Sequence, residues 1–300
     1  MRLKLYIILF ISNLILVEAT GQIVGQYTQW SRYLMSQNVA YAGYTDYLTA
    51  GLLHRQQWVG FNGAPVTQLL EIQSALRKPS FGMGLVYNHE NIHRHSNHSA
   101  LLSYAYRINS RKFTTAFGLG VGVGTSKINT YFLQDEVDDS FGKENQARLN
   151  PIASFGLAFY NRRFHLGLSI PELMSSESSQ IKVDFNNYML KLTGGYKFNV
   201  SSGIQLEPTL LVASSISNGT HAAIDLKANI KDALLAGVGV RTSDAMYLLL
   251  GYVVNKQISV AYSYDYNIIG ALESNTSGSH EIGIVYHLNY VVNTADPRDF

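Results

Sequence analysis

SVAYSYDY, Ser259 to Tyr266, puts Val260, Tyr262, Tyr264 and Tyr266 on one face of an extended chain and Ser259, Ala261, Ser263 and Asp265 on the other. Successive side chains of a strand point to opposite sides, so one face is apolar and the other small or polar. The unit recurs. Phe117, Leu119, Val121 and Val123 alternate with glycines, and Phe155, Leu157 and Phe159 alternate with Ser154, Gly156 and Ala158. Ile282, Ile284, Tyr286 and Leu288 alternate with Glu281, Gly283, Val285 and His287. Such runs start near residues 47, 66, 80, 97, 112, 150, 163, 187, 203, 220, 233, 245, 256 and 279. About fourteen of them, apolar outward and small or polar inward, predict an all-β fold, a transmembrane antiparallel β-barrel.

A soluble β-sandwich is the competing arrangement, and the breaks between runs decide against it. Long breaks at 88–97, 125–149, 171–186 and 266–278 alternate with short ones at 107–112, 161–163, 230–232 and 255–256. Outer-membrane barrels have short periplasmic turns and long outer loops; only 214–219 and 242–245 are short on the outer side. Charge follows the same parity. Arg107, Arg111 and Arg162 fall in short turns, whereas Asp135, Glu136, Asp138 and Asp139 fall in a long break. The arginines read either as a basic periplasmic rim that docks an acidic partner or glycan, or as ordinary turn residues.

Composition agrees. Charged residues are 15% of the chain, against ~25% in soluble domains, with 20 tyrosines, 13 phenylalanines, 25 glycines and 6 prolines. Arg2 and Lys4, an apolar run over 5–17 and small residues at 19–21 predict a secretory signal peptide, cleaved after Gly21 or nearly as well after Ala19. No later segment approaches the ~20 apolar residues of a spanning helix, so insertion has to use strands. Without cysteine there is neither a lipid anchor on that residue nor a disulfide. A net charge of +2 without a basic-aromatic motif gives no sign of nucleic-acid binding. The expected organisation is a leader over 1–21, a plug or periplasmic cover over 22–46, a barrel over 47–288 and a tail over 289–300.

In this register Arg55, Glu71, Arg241, Asp265 and Glu281 line the lumen, as do Arg163, Lys191, Glu207, Asp225 and Lys227. Mixed signs favour a salt-bridged, filled interior over a single-sign pore. Gly82, Gly84, Gly118, Gly120 and Gly122 leave room inside for residues 26–46. An arginine at lipid-facing Leu102 or Tyr264 should cost ~2–4 kcal/mol, and one at Ser103 or Ser263 less. His89, His93, His95 and His98 are dense but match no closed metal site, and DEVDDS (135–140) lacks the EF-hand spacing; neither metal nor cofactor is expected. Ser279, His280 and Glu281 are adjacent, but strand neighbours point apart, so they make a poor triad. The expectation is a non-enzymatic protein.

RQQWVGFNGAP, Arg55 to Pro65, bridges two alternating runs with Gly60, Gly63 and Pro65 as turn residues. Parity makes it the first outer loop, with Trp58 and Phe61 at the membrane–water boundary. Trp58, Phe61 and Asn62 are candidate partner contacts.

NVAYAG (38–43) and RQQWVGFNGAP (55–65) resemble motifs of the PorP/SprF family of Bacteroidetes outer-membrane proteins, and SYAYRI (103–108), YSYDYN (262–267) and GSHEI (278–282) resemble further blocks of it in the same order. Val39 stands where proline is usual in that family. NYVVNTADPRDF (289–300) runs on past the last strand, where a barrel usually ends on an aromatic. The resemblance implies work with the type IX secretion and gliding-motility machinery in the outer membrane lipid. The implied partners are a secreted adhesin's C-terminal domain, exported or retained at the surface, or periplasmic components anchored by the barrel. Fatty-acid-transporter-type barrels also have fourteen strands and an N-terminal plug, so an uptake or diffusion channel is the alternative.

Overall fold

The computed structural model describes residues 27–45, 47–76, 80–128, 148–172, 175–177, 180–182, 188–216, 219–242, 245–268 and 276–288. The expected leader, Arg77, Lys78, the acidic run 135–140 and the tail 289–300 lie outside them.

Alternation produces strands β1 (Leu48–Gln56), β2 (Val66–Ala75), β3 (Phe81–Ile92), β4 (His95–Asn109), β5 (Thr114–Ile128), β6 (Arg148–Tyr160) and β7 (Phe164–Ile170). A small hairpin, β8 (Ser175–Glu177) with β9 (Gln180–Lys182), follows. Then come β10 (Leu190–Tyr196), β11 (Phe198–Ser201), β12 (Ile204–Ser215), β13 (Gly219–Ile230), β14 (Leu234–Arg241), β15 (Ala245–Val253), β16 (Ile258–Asn267) and β17 (Ser279–Leu288). β10 and β11 both pair with β12 and count as one strand interrupted at Lys197. The sheet closes where β1 meets β17, from Leu48 opposite Leu288 to Gln56 opposite His280. The result is a closed antiparallel 14-strand barrel. Its strands begin within 3 residues of the starts read from the alternation.

Closure through β10–β12 and β1–β17 joins the strands into a ring, the condition for crossing lipid with strands. On β15, Leu248 and Leu250 are 58% and 65% exposed to the membrane side, whereas Tyr247 and Leu249 between them are 4% exposed and face inward. Among the described residues no helix is long and apolar enough to cross a membrane.

Three expectations are corrected. The break at 88–97 is a continuous hairpin, with β3 and β4 pairing up to a turn at His93 and Arg94. The outward pattern becomes polar there because the strands leave the hydrocarbon while their hydrogen-bond ladder continues. His89 and His98 face each other across it, rings stacked at 4.2 Å. Arg107 is not on the rim but points inward, 4% exposed. Ser103 and Ser263 are fully buried, so arginine there would meet a packed interior rather than water and would not be mild.

The reason is that the hydrophobic core lies inside the barrel. Residues 27–45 fold into the lumen as a 3-10 turn (Trp30–Arg32), one helical turn (Leu34–Gln37) and a second 3-10 turn (Val39–Tyr41). Trp30, Tyr33, Met35, Ala40 and Tyr41 pack there against Leu53, Leu69, Ala105 and Ala158.

Candidate functional site: the plugged lumen

Four strands each contribute one charged residue to a buried cluster. Arg55 (β1) donates through Nη2 to Asp265 Oδ2 (β16) at 2.8 Å and through Nη1 to Glu281 Oε2 (β17) at 3.2 Å. Arg241 (β14) donates to the same Asp265 oxygen at 2.9 Å. Two cations face two anions, and all four residues are at most 4% exposed. Such a cluster is tolerable in a low-dielectric interior only when its remaining lone pairs and protons are also satisfied.

The N-terminal segment supplies those partners. Thr28 Oγ1 donates to Asp265 at 2.7 Å and accepts from Arg55 Nη1 at 2.8 Å. The backbone N–H groups of Thr28 and Gln29 donate to Glu281 at 3.0 and 2.8 Å. Glu71, on β2, accepts from Ser36 N at 2.9 Å and from Gln73 Nε2 at 2.9 Å. Lys227 Nζ reaches Ser31 Oγ at 2.6 Å, and Lys191 Nζ reaches Gln37 Oε1 at 3.1 Å. The lumen charges therefore hold the segment as well as one another.

NVAYAG forms the second anchor. Asn38 Oδ1 caps the following turn by accepting from Ala40 N at 2.9 Å, while Nδ2 donates to Leu157 O and Leu168 O on β6 and β7. Val39 opens that turn, a position where proline's fixed φ and missing N–H are tolerated, which fits the family's usual residue there. Gly43 has φ +67, and a Cβ on it would lie 2.8 Å from Gly82 Cα and Ser74 O. Cβ atoms on Gly82, Gly118 and Gly156 would strike Ala42 O, Ala40 N and Asn38 Oδ1. The inward glycines thus let two backbones touch. Arg107 donates to Gly43 O and, at 3.1 Å, to Phe81 O, fixing the segment's exit. Burial pushes the Tyr44 phenol up to about 12, with Glu207 and Tyr160 adding to the shift, so the exit carries a neutral tyrosine.

Beneath that exit, at the end of the barrel that carries the short turns, the strand ends enclose a vestibule of about 920 Å³. Arg111, Lys112, Arg162, Arg163 and Lys197 line it together with Tyr44, Tyr47 and Arg107. Arg111, Arg162 and Arg163 are exposed, so Arg163, expected in the lumen, stands instead in the turn after β6, before β7 begins at Phe164. At the other end, the loop after β1 is braced on both sides. Val59 N donates to Gly278 O at 2.9 Å, Ser277 N to Val59 O at 2.8 Å, and His93 N to Gly63 O at 2.9 Å. Trp58 has φ +44 and donates its N–H to Ser279 Oγ at 3.1 Å. Phe61 is 51% exposed, and Asn62 is exposed beside it.

The structure thus brings Arg55, Arg241, Asp265 and Glu281 together and sets Glu71 apart on β2, where it holds the helical turn of the segment through Ser36 N. Ser279, His280 and Glu281 separate: His280 faces outward beside Tyr262, whereas Glu281 is held inside. The contacts of Thr28, Gln29, Ser31 and Ser36 were missed in the sequence, where short polar side chains in an unpatterned stretch carry no signal. Asn38 was detectable, because asparagine before a turn is a capping signal.

A comparison with curated protein sequences finds no match. Among solved structures, the Acinetobacter baumannii outer membrane protein Omp33 aligns with TM-score 0.50 at 6% identity over 82% of this chain and 100% of its own. The Ralstonia pickettii toluene transporter TbuX aligns with TM-score 0.53 at 10% identity over 84% of this chain and 92% of its own. At such identities the likeness is one of fold, and both are outer-membrane barrels in architecture. The family model of type IX secretion system membrane protein PorP/SprF matches residues 19–286. Barrel, outer-membrane location and motif set converge: the chain belongs to the PorP/SprF family of type IX secretion system membrane proteins.

Proposed function

We propose that this outer-membrane barrel serves the type IX secretion and gliding machinery as a closed, non-conducting scaffold. It supports secretion or surface attachment of an adhesin through its outer face and anchors periplasmic components through its inner face. The observation that carries this reading is the occupied lumen: the segment 27–45 is tied to β1, β2, β10, β13, β16 and β17 by its own polar groups. A substrate path through the barrel would require breaking a charge cluster buried to 4% exposure or less. Work done at the two faces requires no such opening. The outer contact then belongs to Trp58, Phe61 and Asn62, on a loop held rigid by Gly278 and His93.

Deleting the gene and measuring adhesin at the cell surface tests the proposal. Loss of surface adhesin, restored by the wild-type gene and not by a Trp58→Ala/Phe61→Ala variant that still inserts, is the expected result. Unchanged display and motility in the deletion strain would remove the role.

A further inference from the structure

We infer that the periplasmic vestibule is a binding site for an acidic peptide segment of a periplasmic partner. This rests on the anchoring half of the proposed function and names the chemistry of the partner. The vestibule holds about 920 Å³ and is walled by Arg111, Lys112, Arg162, Arg163 and Lys197 over a floor containing Arg107. Among the described residues no carboxylate lines it, and none of the five wall cations has an ion-pair partner. Glu207, on the adjoining β12, is itself paired with Lys227 at 3.6 Å. In the lumen, Arg55 and Arg241 are matched by Asp265 and Glu281, and Lys227 by Asp225 and Glu207. Among the described residues, five cations from two separate turns and a strand junction converge here with no counter-charge.

Their backbones are held in place. Asn161 Oδ1 accepts from Arg163 N and Phe164 N at 2.7 and 2.9 Å, and Asn161 Nδ2 donates to Lys112 O at 3.2 Å. Lys197 N donates to Arg163 O at 2.6 Å. One asparagine thus ties the turn after β6 to the turn after β4, and the cations are presented from a fixed frame. Three of the five are arginines, whose planar forks take carboxylates in pairs. The site opens to the periplasm, below the lumen and away from the lipid-facing side chains, so its ligand comes from solution. Several carboxylates within a short length are needed to meet five cations, and an Asp/Glu-rich peptide supplies them more densely than a glycan with one acid per sugar.

The test uses the full-length protein purified in detergent and a fluorescein-labelled hexaglutamate peptide, with hexaserine as control. Saturable, salt-sensitive binding of hexaglutamate alone is expected. It should weaken about tenfold in Arg111→Gln/Arg162→Gln/Arg163→Gln and be largely retained when the same three positions carry lysine. Heat-modifiable gel mobility confirms that each variant is a folded barrel. Absence of saturable binding, equal binding by the glutamine variant, or tighter binding of a polyuronate of equal charge would each overturn the inference. The glutamine variant is also expressed in the deletion strain. If it restores surface adhesin while failing to bind peptide, the vestibule has no part in the role and the scaffold reading stands. If the deletion itself changes nothing, that reading falls regardless of peptide binding.

Discussion

Replacing Arg55 by methionine tests how the plug is held. Arg55 makes three contacts of 3.2 Å or less, to Asp265, Glu281 and Thr28, at 1% exposure. The four-member cluster is neutral, because Arg55 and Arg241 offset Asp265 and Glu281. Methionine fills much of the same volume but leaves one buried carboxylate uncompensated, a change that costs ~3–5 kcal/mol. Thr28 and Gln29 belong to the plug, so a large part of that cost appears as weaker plug docking. At ~1.4 kcal/mol per decade, opening should become about 100- to 1,000-fold more frequent. The chain has no cysteine, so Ser36→Cys places a single thiol in the plug. Its labelling rate with a polar maleimide reports opening, while gel mobility reports the barrel. The double variant Arg55→Met/Glu281→Gln restores neutrality, keeps the Asp265–Arg241 pair at 2.9 Å and should recover most of the loss. Labelling that rises less than about threefold in Arg55→Met, or a double variant worse than the single one, would refute the electrostatic account.

Three further outcomes follow from the same geometry. Gly118→Val and Gly82→Val should displace the plug, because their Cβ atoms would meet the backbones of Ala40 and Ala42; proteolysis of the N-terminal segment in folded barrels checks this, and protection equal to wild type would count against it. Leu250→Arg, on the lipid face at 65% exposure, should lower barrel stability by ~2–4 kcal/mol in denaturant titrations in liposomes; a change below ~0.5 kcal/mol would place that face away from lipid. Asn38→Ala removes one cap and two donors to strand carbonyls and should cost ~1–2 kcal/mol; an unchanged plug-labelling rate would show the anchor to be dispensable.

The barrel was legible because lipid imposes a strict period of two on every strand: SVAYSYDY and EIGIVYHL each name their outward face unaided. Strand ends beyond the membrane were less legible. Around His89 and His98 both faces are polar, so alternation disappears although pairing does not. The charged residues of the lumen were identifiable by register alone, since Arg55, Asp265 and Glu281 each interrupt an apolar strand on its inward side. Which of them meet could not be read, because contact depends on shear around the barrel and on a plug without periodicity. For the same reason Arg107 reads as a rim residue by its nearness to a turn, whereas its inward parity sends it beneath Gly43. The expected mildness of arginine at Ser103 assumed a wet lumen, and the buried plug removes that assumption.

The central claim is that the lumen is closed and that the protein acts through its two faces. Single-channel recording of the full-length protein in planar bilayers tests it most directly, with a variant lacking residues 27–45 as comparison. The account predicts no steady conductance for the full-length barrel and stable conducting steps once the plug is removed. Steady conductance from the full-length protein, with its N-terminal segment intact, would contradict it.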